Sequence, residues 1–273
     1  MTTAPRMRPP TRPDPRAVLT RDADGPDAVL RHGDHADHVV DIHLPTQPLG
    51  SRTPAPLVVL LHGGFWRAEV DRRHTRPLAV ALREQGYVVA TPEYRRTGAD
   101  GGWPATLDDV ARVRERLPGL LADALPGLVA PTPPVVTGHS AGGHLALWWA
   151  LTTRARDVAG VVALAPVADL ARAYAEDLDD GAVHALMGGS PAAHPARYAV
   201  ADTAVLLRGW TGARPVVVHG DADLQVPITH SRGLVGIDLV ELPATDHFAV
   251  IDPLSPAWPQ VLRAVTGGVA SPS

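Results

Sequence analysis

The feature that most constrains this chain is a glycine-serine turn between an apolar segment and a helical segment. Gly138, Ser140 and Gly142 form a Gly-x-Ser-x-Gly pattern directly after the apolar run 134–136 and before the helical run 144–150. A strand, such a turn and a helix in succession are typical of a nucleophile elbow, which lifts a serine hydroxyl clear of the backbone. A purely structural turn is the alternative interpretation. The context favours a nucleophilic Ser140, beside a helix N-terminus that favours negative charge.

The composition narrows the class of protein. The chain has 273 residues, of which 45% are hydrophobic, enough to bury a large core. Its net charge of -4 gives no indication of a nucleic acid or an anionic membrane as partner. The absence of cysteine excludes disulfides, thiolate catalysis and cysteine metal sites. The N-terminus lacks the apolar core of a secretory signal and no apolar run reaches membrane-spanning length, so we expect a cytoplasmic protein without a membrane partner.

Apolar runs alternate with helical segments along the chain, and the sequence predicts strands at 29–44, 57–61, 87–91, 134–137, 158–165, 215–220 and 238–242. The first of these is expected to be an edge strand paired with a short one before it. A continuous apolar run such as 57–61 suits a strand buried on both faces. The alternation predicts an α/β fold, with a mostly parallel central sheet flanked by helices on both faces. Consecutive strands should then be parallel and joined by right-handed crossovers.

Three regions fall outside this alternation. Residues 1–28 are predicted to be a disordered N-terminal arm, and residues 267–273 a frayed tail. Residues 29–266 show no internal boundary and are predicted to form one domain. The irregular stretch 166–209 is an insertion placed where a cap over the serine would form, although short surface helices without a lid role explain it equally well.

Four histidines cluster in the first predicted strand region, at His32, His35, His38 and His43, with several aspartates between them. Their spacing fits no standard zinc pattern, and alternation on an exposed strand accounts for it. We therefore predict no metal site here, and no cofactor anywhere in the chain.

A serine nucleophile needs a base, normally a histidine held by a carboxylate. His247 follows the last predicted strand, at the carboxyl edge of the sheet where the base belongs. The sequence therefore predicts His247 as the base. The other histidines downstream of the serine lie on the helix after it, in the insertion, at the end of the predicted strand 215–220 or on a later helix: His144, His184, His194, His219 and His230.

Three aspartates after predicted strands are candidates for the acid. Asp223 comes three residues after Gly220, and we favour it. Asp221 lies nearer the strand end and is the next candidate, although it can hydrogen-bond its own turn. Asp169 follows the strand after the elbow. Asp246 adjoins the predicted base and is poorly placed to reach back to its ring.

The oxyanion hole needs backbone N–H groups aimed at the developing alkoxide. One should come from Ala141, after the nucleophile. The others should come from Gly64 and Phe65, with Gly63 as a further candidate, in the turn that follows the buried strand 57–61.

With these residues in place, the chain resembles the α/β-hydrolase superfamily, and within it the His-Gly-Gly-x-Trp branch of carboxylesterases and kynurenine formamidases. The resemblance covers about residues 35–265, and its motifs are His62 to Trp66, Glu93-Tyr94-Arg95, Gly138 to Leu145 and Asp223-x-x-Val226-Pro227. It implies a triad of Ser140, Asp223 and His247. It also implies that Gly64, Phe65 and Ala141 hold the oxyanion.

The predicted function is that of a cofactor-free serine hydrolase acting on small-molecule esters or amides. Ester and N-formyl-aryl-amide substrates are not separated by these residues. A prolyl-oligopeptidase-like peptidase and a non-catalytic binding protein are the further alternatives. Five tryptophans could line an aromatic pocket or could simply pack in the core: Trp66, Trp103, Trp148, Trp149 and Trp210.

Overall fold

The computed structural model describes residues 14–46 and 54–267. Within them the strands form one sheet in the order β1-β2-β4-β3-β5-β6-β7-β8. The strands are β1 Ala28–Arg31, β2 Val39–His43, β3 Leu57–Leu61, β4 Val88–Pro92, β5 Val135–His139, β6 Gly160–Leu164, β7 Val216–Gly220 and β8 Asp238–Leu242. The predicted α/β fold with a mostly parallel sheet is confirmed.

The α-helices of the same residues are α1 Arg76–Glu84, α2 Ala105–Ala124, α3 Ala141–Leu151, α4 Leu170–Ala175, α5 Ala182–Met187, α6 Pro195–Ala201, α7 Thr203–Leu207, α8 Thr229–Arg232 and α9 Trp258–Gly267. Short 3-10 helices occupy Pro15–Thr20, Arg72–Thr75, Ala155–Asp157 and Ala249–Ile251. In the described part of the chain, no helix combines the length and the apolar character needed to cross a membrane.

The sheet is antiparallel at one edge. β1 pairs with β2 and β2 pairs with β4 in antiparallel registers, whereas the pairs from β4 through β3 to β8 are parallel. The expectation that all consecutive strands are parallel is therefore wrong for β1 and β2. The connection 32–38 is too short for the helical crossover that a parallel pair requires, so the chain turns back on itself there.

The central strands are buried on both faces. Val59 and Leu61 of β3 belong to one core cluster, and Val58 and Leu60 belong to the other. Successive side chains of a strand point to opposite faces, so the two clusters lie on the two sides of the sheet. Leu117 of α2 and Leu145 of α3 pack into the first cluster, and Val261 of α9 packs into the second. Helices therefore cover both faces and leave the carboxyl ends of the strands to carry the site.

The predicted N-terminal arm differs from the structure where the structure describes it. Pro15–Thr20 is helical, Val18 is buried in the second core cluster, and Arg21 forms an ion pair with Asp252. The expectation of disorder is wrong for residues 14–28, because a buried apolar side chain and the ion pairs of Arg21, Asp24 and Asp27 hold this segment on the domain. Residues 1–13 and 268–273 lie outside the described residues.

The insertion 166–209 folds into α4 to α7. It is joined to α3, since His144 Nε2 donates to the backbone oxygen of Ala201 at 2.9 Å and the Trp148 indole donates to that of Val200 at 2.9 Å. On its other side, Arg67 Nε donates to Asp179 Oδ2 at 2.6 Å. Contacts therefore connect the insertion both to the elbow helix and to the loop after β3.

Candidate active site

The predicted nucleophile lies at a strained turn between β5 and α3. Ser140 has φ 55° and ψ -117°, a region that non-glycine residues rarely adopt. Its N–H donates to the Leu164 carbonyl at 2.8 Å, and its own carbonyl accepts from His144 N at 3.1 Å. The neighbouring strand and the first turn of α3 thus hold the serine backbone in this conformation.

The glycines beside the serine are required by close backbone approach. A Cβ at Gly142 would collide with the carbonyl oxygen of Leu61, and a Cβ at Gly138 would collide with that of Gly142. The elbow therefore fits against the end of β3 only because these two positions carry no side chain.

His247 and Asp223 are joined by a short hydrogen bond. His247 Nδ1 donates to Asp223 Oδ2 at 2.6 Å, and both residues are buried. Asp223 Oδ1 also accepts from the backbone N–H groups of Gln225 at 2.9 Å and Val226 at 2.8 Å. Burial by itself would raise the pKa of Asp223. Hydrogen bonds from His219 and His247 outweigh it and hold that pKa well below the usual range.

The His247 loop is attached to the elbow. His139, the residue before the serine, donates from Nε2 to the backbone oxygen of His247 at 2.8 Å, and the two rings lie 4.4 Å apart between centroids. In the described part of the chain, the Ser140 hydroxyl has no hydrogen-bond partner, so its proton and lone pairs are uncommitted.

The other candidate acids accept hydrogen bonds from backbone N–H groups and not from His247. Asp221 is exposed and accepts from Ala244 N at 2.6 Å. Asp169 caps α4 by accepting from Arg172 N at 2.8 Å, and Asp246 accepts from Phe248 N at 2.9 Å. Of the aspartates considered, Asp223 is the one in contact with His247.

The loop after β3 lies against the elbow. Gly64, Phe65 and Trp66 have φ values of 101°, 49° and 57°, so the backbone bends sharply here. A Cβ built at Gly63 would lie 3.2 Å from the Ser140 Cβ, which shows how closely the loop approaches. Among the residues described, no acceptor engages the N–H groups of the predicted oxyanion residues Gly64, Phe65 and Ala141.

A second carboxylate–histidine pair supports this loop, and motif reasoning from the sequence did not assign it. His62 Nε2 donates to Glu93 Oε1 at 2.7 Å, and the Tyr94 ring stacks on His62 with 4.3 Å between centroids. Burial would raise the pKa of Glu93, but the charge and hydrogen bond of His62, together with Arg96, lower it to about 2. The sequence contained one indication of this pair. The motif Glu93-Tyr94-Arg95 is part of the family resemblance, but no function was assigned to its residues.

The tryptophans do not form one aromatic pocket. Trp66 and Trp149 are buried in the core, Trp103 packs partly buried against it, and the Trp210 indole donates to Ala213 O at 2.8 Å. Trp148 is bound to the insertion, as described above. Packing is the interpretation that these contacts support.

An apolar cavity of about 800 Å³ lies between α2 and the loop 125–134. Its lining includes Leu57, at the start of β3, and Pro134, just before β5. Ser140 follows the other end of β5, so this cavity lies at the opposite end of the strand from the serine. The cavity is therefore not part of the candidate active site.

A family model matches most of the chain, including most of the candidate site residues. The model of a family described as BD-FAE matches residues 40–236. The chain belongs to the BD-FAE family. The matched segment includes the loop after β3, the turn at Ser140 and Asp223, and it ends before His247.

Two curated relatives in sequence are much longer than the chain itself. A non-reducing polyketide synthase of Stachybotrys bisbyi is 32% identical over 136 residues, covering 48% of this chain and 6% of the synthase. A similar enzyme of Preussia isomera is 32% identical over 129 residues and is covered to 5%. The chain thus spans only a small fraction of the length of these relatives.

Solved structures similar to this BD-FAE protein share its fold. A truncated carbohydrate esterase from gut microbiota has a TM-score of 0.73 at 18% identity, with 91% of this chain and 100% of that chain covered. Esterase B of Lactobacillus rhamnosis has a TM-score of 0.73 at 21% identity, with 94% and 90% covered. That esterase has also been solved with a tributyrin phosphonate inhibitor.

Proposed function

We propose that this chain is a serine hydrolase that cleaves small carboxylic esters through a covalent acyl-enzyme. The observation that carries the proposal is the 2.6 Å hydrogen bond between His247 Nδ1 and Asp223 Oδ2, on a loop attached to the elbow of Ser140. Membership of the BD-FAE family and the esterases among the structural neighbours favour the same class of reaction.

The mechanism follows from these groups. Ser140 Oγ attacks the substrate carbonyl carbon while His247 accepts the hydroxyl proton through Nε2, and Asp223 stabilises the imidazolium that forms. The oxyanion accepts hydrogen bonds from the N–H groups of Gly64, Phe65 and Ala141, and each such donor contributes about 3 kcal/mol to lowering the barrier. His247 then returns the proton to the leaving alcohol. Water attacks the acyl-enzyme by the same route in reverse.

Active-site labelling tests the proposal. A fluorophosphonate should label Ser140 covalently and abolish hydrolysis of short p-nitrophenyl esters, and Ser140→Ala should remove both labelling and turnover. Ser190→Ala, which changes a serine in the insertion, is the matched control and should keep both. A folded wild-type protein that neither labels nor hydrolyses any ester would refute the proposal and favour a non-catalytic binding protein.

The same groups would also hydrolyse formamides, so substrate comparison decides the finer assignment. A higher kcat/KM for N-formylkynurenine than for short p-nitrophenyl esters would make the chain an arylformamidase. Cleavage of prolyl peptides at a comparable rate would favour the peptidase alternative. We propose the ester reaction because the structural neighbours named above are esterases.

We also propose that residues 29–266 act as one domain, with 166–209 as a cap. The contacts that support this are those between Arg67 and Asp179 and between His144 and Ala201, which hold the insertion beside the loop after β3 and beside α3.

A further inference from the structure

His219 lies in β7 with its ring completely buried. Its Nε2 is 2.9 Å from the backbone oxygen of Val226 and 3.2 Å from Asp223 Oδ2. A carbonyl oxygen can only accept, and so can an ionised carboxylate, so Nε2 carries the hydrogen. The other ring nitrogen, Nδ1, lies 2.6 Å from Ser231 Oγ, a hydroxyl that can donate to it. The contacts therefore make Nε2 of His219 a hydrogen-bond donor.

This donor completes the hydrogen bonding of the Asp223 carboxylate. Oδ1 accepts from two backbone N–H groups, at 2.9 and 2.8 Å. Oδ2 accepts from His247 Nδ1 at 2.6 Å and from His219 Nε2 at 3.2 Å, and the single Nε2 hydrogen is shared with the Val226 carbonyl oxygen at 2.9 Å. An ionised carboxylate offers about four lone-pair sites, so the four donors occupy all of them.

A buried carboxylate is costly unless its lone pairs are satisfied. Each donor stabilises the ionised form over the protonated form and restricts rotation of the group. Without the His219 hydrogen bond, Oδ2 would keep one unmatched lone pair in a buried site. The carboxylate would then be more basic and freer to turn away from His247.

We infer that His219 is a positioning residue, which holds Asp223 ionised and turned toward His247. The inference rests on the proposed function for its kinetic consequence, but the arrangement itself is a property of the folded chain. His219 touches neither the serine nor the substrate in this scheme, and it acts only through Asp223.

Three variants separate a positioning role from simple packing. His219→Leu removes both ring nitrogens, His219→Gln offers an amide donor near the position of Nε2, and His219→Asn offers one near the position of Nδ1. With a short p-nitrophenyl ester, we expect His219→Leu to lower kcat about 10- to 100-fold, the effect of one lost hydrogen bond to a charged group. KM should stay within about twofold, because the residue does not contact substrate.

The pH profile supplies a second measurement. In His219→Leu the acid limb of kcat/KM should move to higher pH, because a more basic carboxylate stabilises the protonated form of His247. His219→Gln should restore most of kcat and return the limb towards its wild-type position, and His219→Asn should do neither. Wild-type kcat and an unshifted limb in a folded His219→Leu variant would overturn the inference. Equal loss of kcat in the Gln and Asn variants would overturn the inference too. If the Leu variant does not fold, the comparison of the Gln and Asn variants tests the inference by itself.

A readout without turnover separates this inference from the proposed function. The low-field proton resonance of His247 Nδ1–H, assigned by its loss in His247→Gln, should shift in His219→Asn and stay in place in His219→Gln. If that pattern appears while the wild type hydrolyses no ester, the proposed function fails and the positioning role stands. If Ser140-dependent hydrolysis is present and the resonance is unchanged in all the His219 variants, the positioning role fails alone.

Discussion

The ring of His139 donates from Nε2 to the backbone carbonyl of His247 at 2.8 Å, joining residues 108 positions apart in the chain. Burial, with the nearby charge of His247 as a smaller cause, lowers the pKa of His139 well below its usual range. A neutral ring whose Nε2 must donate is therefore held between the elbow and the loop that carries the proposed base.

Removal of the His139 donor should make the position of His247, the proposed base, less well defined. We expect His139→Leu to lower kcat by about tenfold or more, and to lower the free energy of unfolding by about 1–3 kcal/mol, because the His247 carbonyl loses its buried partner. Ester kinetics and urea denaturation measure the two effects. The exposed His184 provides a control, since His184→Leu should change neither. Unaltered kcat in a folded His139→Leu protein would contradict this account.

The acid assignment predicts a large effect at one aspartate. Asp223→Asn keeps the shape of the side chain but removes the charge that stabilises the imidazolium, so kcat should fall about 10³- to 10⁴-fold. Steady-state kinetics measure the loss. Asp221→Asn and Asp169→Asn are the matched controls and should keep kcat within about threefold, since their carboxylates serve a turn and a helix cap. An Asp221→Asn effect as large as that of Asp223→Asn would reassign the acid.

Replacement of two helical glycines by alanine should change the stability of the protein in opposite directions. In Gly142→Ala the new Cβ would collide with the Leu61 carbonyl, so we expect a loss of at least about 3 kcal/mol of stability or no folded protein. In Gly119→Ala of α2 the Cβ meets nothing within 4 Å, and the change should stabilise the fold by about 0.5–1 kcal/mol. Thermal and urea denaturation compare the pair. A wild-type stability for Gly142→Ala would show that the elbow does not approach β3 so closely.

Buried histidines predict a loss of stability in mild acid. Burial lowers the pKa of His32 and of His144 to about 4, whereas an unfolded histidine titrates near its ordinary value of about 6.5. As the pH falls below about 6.5, the unfolded chain therefore binds these protons before the folded chain does. The free energy of unfolding should fall by up to about 1.4 kcal/mol per pH unit for each group until the pH approaches the folded value of about 4.

Urea denaturation at about pH 7.5 and about pH 5 measures this slope. His144→Gln, whose amide can still donate to Ala201, should flatten it. Glu93 affects stability only at lower pH, because its pKa is about 2 in the folded protein and about 4.3 in the unfolded chain. Its contribution to the free energy of unfolding should be lost as the pH falls from about 4.3 towards about 2. Equal stability at the two pH values would mean that His32 and His144 are not buried in the neutral form.

The fold and the elbow could be predicted from the chain because their signals are local. The apolar run of β3 and the glycines around Ser140 reflect burial and steric needs of neighbouring residues, and the structure places strand, turn and helix where the sequence predicted them. The antiparallel edge was less evident, since it depends on the length of the connection between β1 and β2. The packing of Val18 was missed for a related reason, because a single apolar residue carries no periodicity.

What the sequence by itself determined is the order of the parts: a strand, a tight turn with a serine, and carboxylate and imidazole candidates after later strands. The tertiary structure decided which candidates meet. Asp221 and Asp223 are two positions apart in one turn, yet one faces solvent and the other hydrogen-bonds to His247, and Glu93 pairs with His62 on another loop. Side-chain direction in a turn depends on the backbone path and on packing from distant segments, and no short stretch of sequence contains that information.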